Sequence, residues 1–222
     1  MKTLISLDPG MSTGLAVGTY SDTEPFKLTH FFQIEGGVEG FIQNFKVREH
    51  YSRIDDLYSK YVSLPGGGLE TVNIEREEYV HCEHPLYPDC PDDYHPCSGD
   101  TVIESNVTVI AEKFTARGGA NAGFSYRTKD LEPLRVEGAM LAMGLDVTWV
   151  SPAQQYFSGG EGKAKKKQAQ HRWLKEHDLY VTGKMVGCDN ADDVRSAIAH
   201  AVALLVRQKH RPTIEHYFPQ EG

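Results

Sequence analysis

The sequence predicts an α/β chain, a mixed central sheet flanked by helices, and three observations carry that expectation. Two short apolar runs, residues 2–8 and 14–20, are separated by Pro9-Gly10 and Thr13-Gly14 and so read as a β-hairpin. Val107-Thr108-Val109-Ile110-Ala111 has the character of a buried strand. Residues 191–208 place apolar side chains at Val194, Ala197, Ile198, Ala201, Leu204 and Leu205, the stripe of a helix packed on a sheet.

The other elements follow in chain order. Residues 28–34 read as a third strand. Residues 38–61 carry apolar side chains at Phe41, Ile42, Phe45, Ile54, Leu57, Tyr58 and Tyr61, a spacing that predicts helix at either end with irregular chain between. Residues 62–106 contain Gly66-Gly67-Gly68, repeated prolines and a Cys/His cluster. That segment is too long and irregular for an ordinary connection and is expected to be an insertion. A helix over 131–143, a strand over 146–150, a Gly159-Gly160-Glu161-Gly162 hinge and a basic helix ending near Leu174 lead to the last helix at 191–208. With 222 residues and 40% hydrophobic content the chain can bury one substantial core. A single domain, 1–222, interrupted at about 62–106 is therefore expected.

Composition narrows the function classes. No apolar stretch approaches the length of a membrane span, and the chain begins directly in a strand, so the expected location is cytoplasmic with no membrane partner. Cys82, Cys90 and Cys97 lie close together among histidines and Cys188 stands apart, which fits a reducing compartment and metal binding better than a disulfide framework. The net charge of −8, from 23 basic and 31 acidic residues, speaks at first against a nucleic-acid partner. Its distribution reverses that. Residues 70–104 hold ten acids and one base, Arg76, and without them 22 basic and 21 acidic residues remain. The bases gather at Lys163, Lys165, Lys166, Lys167, Arg172 and Lys175, a cluster suited to phosphate neutralisation, with a solvated helix face as its alternative.

The carboxylates carry the chemistry. Asp8 ends the first strand, and Pro9-Gly10 turns the chain there, placing the carboxylate at the sheet edge near solvent. Alternation along the 107–112 run puts Glu112 on one face with Thr108 and Ile110, and Val109 and Ala111 on the other. If the two strands are parallel neighbours, Asp8 and Glu112 project from the same end, where open α/β sheets place their ligands. Asp189, Asp192 and Asp193 open the last helix, and spacing by three or four residues puts Asp192 or Asp193 on the face of Asp189. Capping and helix-dipole complementarity are the alternative reading of these three. Clustered carboxylates are costly unless a hard divalent cation neutralises them. Two such ions about 4 Å apart can clamp the attacking and leaving oxygens of a phosphodiester displacement.

Leu7-Asp8-Pro9-Gly10 with Thr13-Gly14, then Ile110-Ala111-Glu112, then Asp189-Asn190-Ala191-Asp192 leading to Ala199-His200-Ala201 resemble, in order and spacing, the RuvC family of Holliday-junction resolvases. The basic run at 164–171 and Ser151-Pro152-Ala153-Gln154 resemble further family stretches. The resemblance covers most of the chain outside 62–106. It implies an RNase H-like fold and a Mg²⁺- or Mn²⁺-dependent endodeoxyribonuclease with two ions per site. It further implies a homodimer that makes paired cuts in branched DNA such as four-way junctions. Carried over, Asp8, Glu112, Asp189 and Asp192 are the catalytic metal ligands, and Phe114, Arg117, Lys163, Lys165, Lys166 and Lys167 contact DNA. Tyr156 stands where the family commonly has a lysine, Phe114 is one position closer to the second carboxylate than the family's aromatic, and Asp193 replaces a small residue. These departures and the Cys/His insertion resemble a phage-encoded member, which would work in the cytoplasm of a bacterial host.

The insertion is expected to fold around a structural Zn²⁺ held by Cys82, Cys90 and Cys97 with His84, His81 or His95. An acidic, proline-rich segment builds little core of its own, and a Cys₃His site supplies folding energy. The alternative is an acidic loop whose thiols stay reduced. Competing functions are an RNase H-like nuclease for flap, fork or RNA/DNA hybrid substrates and a non-catalytic branched-DNA-binding protein. An actin-like ATPase is disfavoured by the short chain and the lack of a second phosphate loop.

Overall fold

The computed structural model describes residues 1–52, 57–63, 69–76, 107–114, 131–151 and 163–219. Its central sheet contains β1 (Lys2–Asp8), β2 (Ser12–Tyr20), β3 (Lys27–Glu35), β7 (Val107–Glu112) and β8 (Val147–Val150), in the order β3-β2-β1-β7-β8. β1 and β2 form the expected hairpin, with Asp8 opposite Gly14. β7 pairs parallel to β1, and β8 parallel to β7. The sheet is therefore mixed, with β1 and β7 side by side and their carboxyl ends together.

Helices cover both faces. On one lie α1 (Gly37–Asn44) and α2 (Glu132–Ala142), whose Val38, Phe41, Val136 and Met140 pack on Ile5, Leu7, Leu15, Val109 and Ala111. On the other lie α3 (Lys163–Glu176), α5 (Asp192–Arg207) and α6 (Arg211–Tyr217), with the short α4 (Gly183–Val186) between the first two. There Val194, Ala197, Ile198, Ala201 and Leu205 of α5 meet Leu4, Ala16 and Ile110, and Leu174 of α3 and Tyr217 of α6 close the layer. The alternation of β1 and β7 divides these clusters: Leu4 and Ile110 face α5, while Ile5, Leu7, Val109 and Ala111 face α1 and α2. This is the expected α/β arrangement, a mixed central sheet flanked by helices.

Three local differences have physical causes. Helix was expected at both ends of 38–61. Among the described residues of that stretch only α1 is helical; Phe45 turns extended at φ −108° and ψ 112°, and β4 (Lys46–Ser52) and β5 (Leu57–Ser63) follow. The Val and Tyr content of these strands favours the pleated conformation over the helical spacing of Ile54, Leu57, Tyr58 and Tyr61. β5 runs through residue 62, where the insertion was expected to begin, and pairs with β6 (Leu69–Arg76) to complete a second, three-stranded sheet. Beyond 191–208, α6 is an additional helix started by Arg211-Pro212, a proline suited to a first helical turn. It is tied down by Thr213, whose hydroxyl accepts from Phe26 N, and by Tyr217, whose hydroxyl donates to Phe26 O.

One contact sets the position of α5. A Cβ on Gly14 would lie 2.0 Å from the carbonyl carbon of Asp193 and 2.3 Å from Val194 N, so the first turn of α5 rests directly on the backbone of β2. By contrast, a Cβ on Gly138, in the middle of α2, meets nothing within 4 Å. Gly14→Ala should therefore lower unfolding free energy by at least about 2 kcal/mol through overpacking. Gly138→Ala should raise it by up to about 1 kcal/mol through helix propensity. Urea unfolding of both variants checks the contrast, and equal effects would contradict the close seating of α5.

Candidate active site

The site forms where β1 and β7 end beneath α5. Asp8 and Glu112 occupy the last positions of their strands on the α5 face, since Leu4 and Ser6 precede Asp8 in register and Ile110 precedes Glu112. Because Gly14 lies opposite Asp8 and supports Asp193, the seating of α5 brings the Asp193 carboxylate towards Asp8. Positions 193, 196 and 200 share one face of the helix, and each bears a polar side chain directed into the site. Asp193 Oδ2 accepts from Ser12 Oγ at 2.5 Å, and the Ser196 hydroxyl donates to Asp8. His200, 1% exposed, places Nε2 2.9 Å from Glu112 Oε2.

The electrostatics follow from this crowding. Burial pushes the Asp8 carboxyl up to about 7; His200 counters it, the Glu112 and Asp193 carboxylates add to it, and the Ser196 hydrogen bond counters it again. Asp193 is also raised, first by burial, with Asp192 and Glu35 adding to the rise and the Ser12 hydrogen bond opposing it. Burial is thus the main cause at both carboxyls, and neighbouring carboxylates add to it.

Asp192 faces a different environment. Burial opposes its ionisation, but hydrogen bonds from Lys167, Arg195 and Asn190 hold it well below the usual carboxylate range. Arg195 is itself buried and fully engaged, donating to Val181 O at 2.7 Å, Asn190 Oδ1 at 3.1 Å and Asp192, and lying 4.9 Å from the centre of the Tyr180 ring. His171 approaches Asp192 at 3.5 Å, with its own pKa lowered by burial and then by Arg195. Asp189 is exposed, with its backbone against Gly183 and its charge felt by the Cys188 thiol.

The structure thus brings Asp8, Glu112 and Asp193 into one electrostatic group, and it holds Asp192 in an ion-pair cluster with Lys167 and Arg195. Ser12, Ser196 and His200 are members that sequence reasoning passed over. The signal for the last two lay in polar residues at helical spacing from Asp193, among the largely apolar buried positions of the helix. Among the DNA-contact candidates, Lys165 is exposed, Lys166 is partly buried and Lys167 is engaged with Asp192. Phe114 is partly buried, and its backbone N donates to Glu137 of α2 at 2.5 Å. Lys163 lies in the first turn of α3. Arg117, Tyr156 and the zinc candidates Cys82, Cys90, Cys97, His81, His84 and His95 lie outside the described residues.

No group of three or more His, Cys, Asp or Glu among the described residues is drawn together closely enough to enclose an ion as it stands. The donor set nevertheless suits a hard divalent cation. Its members are carboxylate oxygens, His200 lies against Glu112, and Asp8, raised mainly by burial, has two further carboxylates acting on it.

No family model and no curated protein matches the chain. Among solved structures it is similar to the T. thermophilus RuvC in complex with Holliday junction substrate, at 11% identity over 95% of this chain and 97% of that one, with a TM-score of 0.38. It is also similar to a Thermus thermophilus RuvC structure, at 15% identity over 94% and 97%, with a TM-score of 0.34. No described helix is long and apolar enough to cross a membrane.

The raised Asp8 yields a pH dependence in metal-free protein. A carboxyl with a higher pKa folded than unfolded leaves the native state holding more protons, so its contribution to stability falls as pH climbs from the ordinary 3.8 through about 7. In EDTA, Asp8→Asn should therefore melt higher than the unsubstituted protein at about pH 8.5, and the gap should close towards about pH 4. A gap that persists unchanged at low pH would contradict the raised Asp8.

Proposed function

We propose that this chain is a divalent-metal-dependent endodeoxyribonuclease that hydrolyses phosphodiester bonds in branched DNA, four-way junctions above all. The observation that carries the chemistry is the group formed by Asp8 and Glu112, at the ends of parallel neighbouring strands, with Asp193 from the first turn of α5. These three supply the carboxylate oxygens for Mg²⁺ or Mn²⁺. When bound, the ion supplies Lewis-acid stabilisation of the charge that develops on the phosphodiester. Water adds to phosphorus and the bond to the 3′ oxygen breaks, leaving 5′-phosphate and 3′-hydroxyl ends.

The protein's own residues bind and orient. Ser12 and Ser196 fix Asp193 and Asp8 by hydrogen bonds, and the exposed Lys165 on α3 is available to a DNA phosphate. Lys167 links α3 to the start of α5 through its pair with Asp192. The preference for branched DNA rests on the sequence resemblance, as does paired cleavage by a homodimer on a two-fold symmetric junction. The serious rival is an RNase H-like nuclease with the same metal chemistry and a flap, fork or RNA/DNA hybrid substrate.

Cleavage of a four-way junction, a fork, a flap and an RNA/DNA hybrid, compared in Mg²⁺, separates these readings. The junction should be cut fastest, with symmetric nicks and no cutting in EDTA. Preference for the hybrid would transfer the chain to the rival class, and metal-independent cutting would overturn the proposal.

A further inference from the structure

We infer that His200 is a positioning residue for the candidate metal site, one that holds Oε2 of Glu112 so that the other carboxylate oxygen is left to face a cation shared with Asp8 and Asp193. The inference rests on the nuclease reading and assigns a role within it to a residue that contacts neither substrate nor ion.

His200 lies near the middle of α5, on the layer that packs against the sheet, with Ala197, Ile198, Ala201 and Leu204 around it in sequence and buried. A polar ring in such a setting is costly unless its nitrogens are satisfied. One of them is not: Nδ1 is buried with no hydrogen-bond partner among the described residues. The other, Nε2, lies 2.9 Å from Glu112 Oε2. An apolar side chain would fill the same place without an orphaned nitrogen, so the ring contributes little to core cohesion and much to a single carboxylate.

Glu112 needs such a partner. It ends its strand with the side chain 27% exposed, and a glutamate has three rotatable bonds with which to leave the site. With Nε2 2.9 Å from Oε2, the ring restrains the carboxylate and would leave the other oxygen of Glu112 available to a cation. Carboxylate ligands held by hydrogen bonds of this kind owe much of their metal affinity to the partner. The 193, 196 and 200 positions then act as a unit, since Asp193 supplies a carboxylate, Ser196 orients Asp8 and His200 orients Glu112.

The test is Mn²⁺ titration of the full-length, metal-free protein by calorimetry without DNA, in wild type, Asp8→Asn, His200→Met and His200→Gln. Met keeps the bulk and loses the donor; Gln places an amide N–H near the position of Nε2. His200→Met should bind Mn²⁺ about 10- to 100-fold more weakly, and His200→Gln should stay within about threefold of wild type. His200→Leu replaces Met if thermal melting shows that variant unfolded. Wild-type affinity in the apolar variant, or Gln as weak as Met, would overturn the positioning role while leaving the nuclease reading in place. A wild-type protein that binds no Mn²⁺, or whose binding ignores Asp8→Asn, would overturn the nuclease reading and this inference with it.

Discussion

The close seating of α5 on β2 is the constraint on which the rest depends. Asp8 and Gly14 face each other across the β1–β2 hairpin, and the missing side chain at Gly14 lets the backbone of Asp193 and Val194 come to rest there. Any side chain at that point would lift the helix from the sheet by more than its neighbours could absorb. The apolar stripe of α5 provides the driving force for docking, and Gly14 determines how near the helix start comes to the strand ends. Carboxylates that would repel one another in solution are thereby held together. Asp8 is raised first by its burial there, and the neighbouring Glu112 and Asp193 carboxylates add to the rise.

A second set of charges at the same helix start is neutralised rather than compressed. Arg195 is buried, and its guanidinium is shared among Val181, Asn190, Asp192 and His171, while Lys167 reaches Asp192 from α3. Removing Asp192 from this partly buried cluster should destabilise the fold, because the buried Arg195 is then left short of its counter-charge. The cluster welds α3 to α5. Two adjacent aspartates thus have opposite roles: Asp192 joins helices, and Asp193 joins the strand-end group. Their pKa directions diverge accordingly, one lowered by its cationic partners and one raised by burial and like charge.

Much of this was legible before any coordinates. The hairpin followed from Pro9-Gly10 and Thr13-Gly14, a buried strand from the 107–111 run, and the face on which Glu112 lies from simple alternation, while the parallel pairing of that strand with β1 stood only as a condition. The stripe of α5 followed from helical periodicity. What periodicity leaves open is the rotation of a helix about its own axis by one residue. Asp192 and Asp193 both satisfy helical spacing from Asp189, and only the Gly14 contact, between residues far apart in sequence, turns Asp193 towards Asp8. The expected second helix near 54–61 became strand for a related reason, since Tyr58, Tyr61 and Val62 suit either period and pairing with β4 and β6 decided. His200 stood in plain view within an apolar helix face, but its partner belongs to another strand and cannot be inferred from spacing.

The most direct test of the account compares two neighbouring substitutions, Asp193→Asn and Asp192→Asn, in single-turnover cleavage of a four-way junction at saturating Mg²⁺. The account predicts that Asp193→Asn loses about 10³-fold or more in rate, equivalent to about 4 kcal/mol of transition-state stabilisation. It predicts that Asp192→Asn, while less stable, retains cutting within about tenfold where folded. The reverse ranking, with Asp192→Asn inactive and Asp193→Asn near normal, would contradict the placement of Asp193 in the strand-end group.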